Sequence, residues 1–330
     1  MSSVTVRQLW RFPVKSMGGT ELDTLRIDRR GVHADRLWAV RDLDNDITAT
    51  ARKIPALLGC SARYASEPDA DAGPGNAPPV LITFPDGTER HSADPDIDDR
   101  LSELAGRRVR LTALPFASDT SRQRLTLRQG LGTFLSPAEI RSDFGLSETD
   151  PLPDTSAFSL KELATVARYS TPPGTFVDLS PVHLLSSRSL ASLSADGTAV
   201  DVRRFRPNIL VDIDGDTASY PEAEWAGARV TLGSVSLRAT TPTIRCVVPT
   251  RPQPGLELDR SIGRLLAERT DRFLGIYADV EKPGLLRVGD SVEIHPPVPP
   301  TALRRKVSAL NKHTLRQLQR LLEATVLRSG

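Results

Sequence analysis

The chain has 330 residues, a length that suits two domains of ~100–200 residues better than one. Its 39% apolar and 25% charged residues are those of a soluble globular protein, and with 5% aromatics its core must come from Leu, Val, Ile and Ala. Forty-three basic against 41 acidic side chains leave a net charge of +2, which excludes general attraction to nucleic acid or anionic lipid.

In chain order, residues 4–12 (VTVRQLWRF) alternate as a strand does. LDTLRIDRRG, DRLWAVRD and DITATARK follow, with Gly18-Gly19, Gly31 and Asp44-Asn45 as turn signals between them. Strands with turns about every ten residues predict an antiparallel β-domain. The Pro/Gly/Asp-rich stretch 67–79 is an exposed loop, PVLITFPDG a strand into a turn, DPDIDDRLSEL a short capped helix and RRVRLTAL a strand. From about 116 the character changes: SPAEIRSDFGL and SLKELATVARYS read as helices separated by DPLPD. After TPPGTFVDLSPVHLL, a helix begins near Ser186; RFRPNILVDI is a strand, and ARVTLGSVSLRAT a hairpin turning at Gly233. The irregular TPTIRCVVPTRPQPG precedes a helix in DRSIGRLLAERTDRF, then strands in FLGIYADV and LLRVGDSVEI. A Pro-rich linker at 296–303 leads to a helix with Leu at helical spacing at 307–327.

Only two cysteines, Cys60 and Cys246, are present, which argues against a disulfide framework and rules out a four-cysteine iron–sulfur cluster. The N-terminus lacks a signal-peptide apolar run and no stretch approaches the ~18 apolar residues of a membrane span, so a cytoplasmic protein with no membrane partner is expected. G-x-G-x-x-G, the phosphate-binding G-x-x-x-x-G-K-[ST], H-E-x-x-H, C-x-x-C and G-x-S-x-G are all missing.

Cys246 follows Thr-Ile-Arg and precedes Val-Val-Pro-Thr, with Arg245 beside it and Arg251 five residues on. Two readings are open: a buried structural thiol, or a thiolate favoured by neighbouring cations and fit to bind a metal. Cys60, in ALLGCSARY, has only the structural reading. Basic groups recur in short settings: Lys15 in FPVKS, Arg36 in DRLW, Arg52 and Lys53 in TARK, Arg204 and Arg206 in RFRPN. Each alone is a solvated surface charge; together they would bind phosphate, which suits the arginine fork and the lysine point charge. Asp178, Ser180 and Asn208 are either turn and capping residues or polar contacts to a heterocycle. The five histidines show no metal-ligand spacing, and only His183 lies near other candidates.

These motifs, in this order, resemble the MOSC family in its branch with an N-terminal MOSC β-domain, the branch of the amidoxime-reducing components. The likeness is carried by Phe12-Pro13-Val14-Lys15-Ser16, Asp35-Arg36-Leu37-Trp38, Thr50-Ala51-Arg52, Asp178 to Ser186, Arg204-Phe205-Arg206-Pro207-Asn208 and Arg245-Cys246, over about residues 4–295. It implies an α+β, predominantly β fold: an N-terminal β-barrel-like domain at 1–115 and a MOSC mixed β-barrel with flanking helices at 178–295. A helical connection at 116–177 and a linker with a C-terminal helix at 296–330 complete it. It further implies a molybdenum cofactor, a Mo-pyranopterin, held by Lys15, Ser16, Arg36, Arg52, Asp178, Ser180, Arg204, Arg206 and Asn208. Cys246 would ligate the metal, with Arg245 beside it in the catalytic centre. The implied reaction is reduction of N-oxygenated small molecules, with electrons from a separate ferredoxin, flavodoxin or cytochrome b5 type protein. Two other functions are compatible with the residues: sulfur transfer through a persulfide on Cys246, and carriage of the cofactor without turnover. Ile244 stands where the family often has Ser, and Val-Val-Pro-Thr-Arg-Pro-Gln-Pro-Gly departs from the usual run after the cysteine, so the substrate is left open.

Overall fold

The computed structural model describes residues 4–126, 129–130, 136–153, 158–194, 200–215 and 218–297. The expected helix at 307–327 and much of the linker before it lie outside the described residues.

The dominant element is a curled eight-stranded sheet. Its strands lie in the order Val292–His295, Arg229–Leu232, Val235–Ile244, Phe273–Lys282, Val182–Ser186, Ile209–Ile213, Val4–Arg11 and Thr20–Leu22. All neighbours are antiparallel except the pair Val182–Ser186 and Ile209–Ile213. That parallel pair is joined through the helix Ser187–Leu193, the connection that parallel strands require. Val235–Ile244 alternates buried and half-buried positions along its whole length, the period-two signature of a strand with one face in a core.

The N-terminal half supplies three smaller sheets. Trp38–Asp42 pairs with Val109–Ala113 and Ile47–Thr48, and Ser61–Tyr64 with Val80–Thr83 and then Glu89–His91. Thr24–Asp28 pairs with Gly31–Val32 on one side and with Gly284–Arg287 on the other. The first strands, Val4–Arg11, Thr20–Leu22 and Thr24–Asp28, are thus built into sheets with strands from residues 182–295. Two of the four sheets lie wholly before residue 115, and two join strands from both parts of the chain.

Three apolar clusters follow this arrangement. One is built from residues 14–114 plus Phe176, one joins the large sheet to the sheet of Thr24–Asp28, and one lies beneath the helices Ser187–Leu193 and Ser261–Thr270. The strand Val182–Ser186 is entirely buried, which is why its sequence VHLLS shows no alternation.

The helices Pro137–Phe144 and Leu160–Arg168 form where the sequence places caps. Ser136 accepts from the Glu139 N–H with Pro137 at the first helical position, and Gly145 at φ 64° closes the end. Ser159 and Glu162 make a reciprocal capping box.

Candidate functional site

Backbone pairing brings the basic motifs together. Segments 12–15 and 35–38 run side by side: Arg36 N–H donates to Phe12 O at 2.7 Å, Trp38 N–H to Pro13 O at 3.0 Å and Lys15 N–H to Trp38 O at 2.8 Å. Asp35 Oδ1 accepts from Phe12 N–H at 2.7 Å and fixes the register. Lys15 and Arg36 therefore emerge from one short pairing. The turn carrying Arg52 is tied to the same place, since Ala51 N–H donates to Ser16 Oγ at 2.9 Å. Arg206 arrives from the large sheet and donates to Met17 O, with its guanidinium over the Phe12 ring at 4.5 Å; Arg36 stands 5.2 Å from the same ring.

These side chains line one cavity of about 890 Å³ together with Asp178, Ser180, His183, Arg204, Arg245, Cys246 and Tyr277. Ten of the eleven candidate positions therefore converge. The exception is Asn208, which is fully buried and not in the cavity wall. Its Oδ1 accepts from His183 N–H at 3.1 Å and its Nδ2 donates to Trp10 O at 3.3 Å, so its amide pins neighbouring strands.

Two arginines reach the wall with their guanidinium groups already taken up. Arg204 donates to Pro249 O, Arg251 O and Glu257 O at 3.1, 3.2 and 2.7 Å, and so holds the loop after Cys246. Arg245 donates to Leu274 O at 2.8 Å and Phe205 O at 3.1 Å, and meets His183 Nε2 at 2.6 Å. A guanidinium has no acceptor, so His183 Nε2 must accept and its proton must sit on Nδ1, which faces Arg206 O at 3.4 Å. Burial and Arg245 both push the His183 pKa well down, keeping it neutral. Close packing enforces this contact: Gly275 sits at φ 81°, and a Cβ there would come within 2.5 Å of His183 Nε2.

The remaining cations face the cavity. Lys15 Nζ binds Asp178 Oδ1 at 2.5 Å and Phe176 O at 3.2 Å. Burial lowers the Lys15 pKa, with Arg36 and Arg52 adding to the effect against Asp178. Asp178 is enclosed by protein, yet 62% of its side chain is accessible because it fronts the cavity. Desolvation works against its charge, but Lys15 and Arg36 hold its pKa far below the usual carboxylate range. Burial opposes charge on Arg36 too, and Asp35 at 2.5 Å with Asp178 outweighs it. Arg206 is pushed down to about 10 by burial and by Arg36 and stays charged at neutral pH.

Two features mark this cluster as built for a ligand. Ser16, Arg36 and Arg206 have φ of 70°, 51° and 54°, a region that non-glycine residues rarely adopt. Arg206 Nη2, Thr50 Oγ1 and Thr243 Oγ1 are buried at the cavity with no hydrogen-bond partner. Each such orphan costs ~1–3 kcal/mol unless something binds it. An anion rich in oxygen acceptors fits a free guanidinium nitrogen and two hydroxyls.

Cys246 is half-buried at the same cavity. The expectation that Arg245 lowers its pKa is reversed in the net. Burial raises the thiol, and the principal cation opposing this is Arg52, followed by the Val248 N–H. Arg245 is directed at His183 and contributes less. Cys60 is fully buried, and burial pushes its thiol up to about 12, as its structural reading requires. Spacing missed three cavity features: Tyr277, the orphan hydroxyls of Thr50 and Thr243, and Asp143, which binds Arg52 at 2.9 Å and Lys53 at 3.1 Å. No local motif distinguishes these residues, and only the folded sheet and helix bring them in.

Comparison with known proteins agrees with the arrangement. The MOSC domain family matches residues 172–293, and the MOSC N-terminal beta barrel domain family matches residues 3–88. Mitochondrial amidoxime reducing component 2 of Bos taurus is 26% identical over 308 residues, 87% of this chain and 82% of that protein. Its counterpart of Rattus norvegicus is 27% identical with the same shares. Among solved structures, the YUAD protein from Bacillus subtilis aligns with a TM-score of 0.41 and 11% identity, covering 90% of this chain and 97% of that one. With one domain model matching each end of the chain in the expected order, the chain belongs to the MOSC family, with a MOSC N-terminal beta barrel domain preceding the MOSC domain.

Proposed function

We propose that the chain is a molybdenum-cofactor-dependent oxidoreductase that reduces N-oxygenated compounds (N-hydroxy compounds, amidoximes or N-oxides) at Cys246. One observation carries the reading: Lys15, Arg36, Arg52 and Arg206, from separate segments, face one cavity with Cys246, and Arg206 Nη2 has no partner there. MOSC domains are associated with molybdenum-cofactor binding, and the bovine and rat relatives are named for amidoxime reduction.

Lys15, Ser16, Arg36 and Arg206 would hold the phosphate side of the cofactor, and Asp178 and Ser180 would meet its heterocycle. Among the described residues no three His, Cys, Asp or Glu side chains come together to hold a metal. A metal on Cys246 would therefore take its other ligands from a bound group, as a dithiolene provides. When bound, the cofactor supplies the two electrons that, with two protons, turn an N–OH group into N–H and water. Burial disfavours a free thiolate at Cys246, whereas a metal displaces the thiol proton. That preference weighs against the persulfide alternative. Arg52 and the Val248 N–H would stabilise the resulting thiolate. Tyr277 lines the cavity, and burial raises the pKa of its phenol, so the hydroxyl there is a neutral group able to donate a hydrogen bond. Arg204 and Arg245 would act by positioning the Cys246 loop and His183. Electrons would come from a separate ferredoxin, flavodoxin or cytochrome b5 type protein. No described helix is long and apolar enough to cross a membrane.

Rapid mixing of reduced, molybdenum-loaded protein with benzamidoxime tests the reading. The expected result is one equivalent of benzamidine formed as the metal reoxidises. Protein that stays reduced, and that carries labile sulfane sulfur on Cys246, would contradict it and favour sulfur transfer.

A further inference from the structure

The two helices that span the connecting region carry apolar side chains that no core absorbs. Helix Pro137–Phe144 fully buries only Asp143, and helix Leu160–Arg168 has no buried residue among those described. Neither helix contributes to any of the three apolar clusters. Amphipathic helices normally bury their apolar stripe against a core. Here Ile140, Phe144, Leu163, Ala164 and Ala167, with Phe158, line the cavity that holds Cys246. Both helices lie between the two family matches, outside residues 3–88 and 172–293.

The apolar wall is fixed next to the Cys246 loop. Asp143 O accepts from Val247 N–H at 2.9 Å, while the Asp143 carboxylate binds Arg52 at 2.9 Å and Lys53 at 3.1 Å. At the helix end, a Cβ on Gly145 would stand 3.0 Å from Val247 Cγ2, so the Val247 side chain packs against the helix end. From the second helix, Glu162 Oε1 accepts from Thr241 Oγ1 at 2.5 Å and ties that helix to the strand leading to Cys246. A molecule reaching Cys246 therefore meets apolar helix side chains next to Arg52. The cavity, about 890 Å³, is near the upper end of the ~300–1,000 Å³ usual for small-molecule sites, and it has to hold the proposed cofactor as well as a substrate. A cationic body is disfavoured by Arg52, which lies beside this wall, and a polar one would lose hydration against the helices.

We propose that the two helices are the specificity wall of the site, and that the substrate is a neutral N–O compound with a large apolar body, aryl or branched alkyl. The identity of the N–O head rests on the function proposed above; the apolar body rests on the wall alone. Equilibrium dialysis of the oxidised, molybdenum-loaded full chain, without an electron donor, reads binding apart from turnover. The probes are acetamidoxime, benzamidoxime and naphthamidoxime. Affinity is expected to rise about tenfold at each step as apolar area is covered. Ala164→Trp, at an exposed helix position, fills the wall and should lower the naphthamidoxime-to-acetamidoxime affinity ratio about tenfold. Phe144→Ala should lower it about fivefold. Equal affinity across the series, or variants that shift all three probes alike, would overturn the proposal. Size-graded binding without reduction once electrons are supplied would leave the wall standing and contradict the reductase reading. Displacement of naphthamidoxime by a synthetic peptide of residues 307–327 would make the chain's own tail the occupant and overturn the substrate assignment.

Discussion

Lys15, Arg36 and Arg206 form one part of the cavity lining and Ile140, Phe144 and Leu163 another, and different forces hold the two parts in place. The cationic side is buried, internally paired and strained. Its lysine and arginines are desolvated, three of its residues have positive φ, and Asp35, Asp178 and backbone carbonyls compensate only part of the charge. Such an arrangement costs stability and persists because the surrounding sheets over-determine it. The helical side has ordinary caps, half-buried apolar groups and a few tethers. Under the proposed function, preorganisation is concentrated where the cofactor would be held, and adaptability where the substrate would arrive. The first side should tolerate almost no change, and the second should accept substitutions that alter what binds.

The largest expected effect tests that asymmetry on the cationic side. Arg206→Ala removes a half-buried guanidinium whose Nη2 is buried and unpaired, and hydrogen bonds to charged groups are worth ~1.5–3 kcal/mol each. Cofactor affinity should fall about 100-fold, read as molybdenum content after dialysis, with far-UV circular dichroism unchanged. Full retention of metal would break the comparison. A middle-sized effect tests the other side. Asp143→Ala frees Arg52 and Lys53, of which the lysine is about half exposed, so the cost is about 1 kcal/mol. The melting temperature should drop by ~2–4 °C while molybdenum stoichiometry holds. A loss of metal as large as that of Arg206→Ala would mean the walls are not separable.

The smallest effect is electrostatic. The Asp178 carboxyl titrates near ~3.9 when unfolded and well below that when folded, because Lys15 and Arg36 overcome its desolvation. Between those values the unfolded chain binds the extra proton. The stability that Asp178 adds is therefore complete above pH ~4 and is lost as pH falls toward its folded value. Stability of the metal-free protein should fall more steeply with acid for the wild type than for Asp178→Asn. Parallel curves would show that Lys15 does not hold the carboxylate charged.

Much of this was readable from the sequence because it is local. The strand Val235–Ile244 alternates, both connecting helices carry capping residues, and Lys15, Arg36 and Arg206 lie in short distinctive motifs. What a side chain does inside the site was less legible, since it depends on partners far away in the chain. Arg204 and Arg245 look like Arg206 in sequence, yet their guanidinium groups are taken by carbonyls 29 to 53 residues away. Asn208 belongs to the motif but faces His183 and Trp10. The fully buried strand Val182–Ser186 has no period to read. The sharing of sheets between the two ends of the chain, through Thr24–Asp28 and Gly284–Arg287, follows from long-range pairing that no window shows.

The central claim is that Cys246, not Cys60, holds a metal brought by a cofactor bound at the cationic wall. Molybdenum-to-protein ratio, measured on protein produced with cofactor supply, tests it directly in three forms: wild type, Cys246→Ala and Cys60→Ala. The account predicts a ratio near one for the wild type and Cys60→Ala and near zero for Cys246→Ala. A ratio near one in Cys246→Ala, or no molybdenum in any of the three, would contradict it.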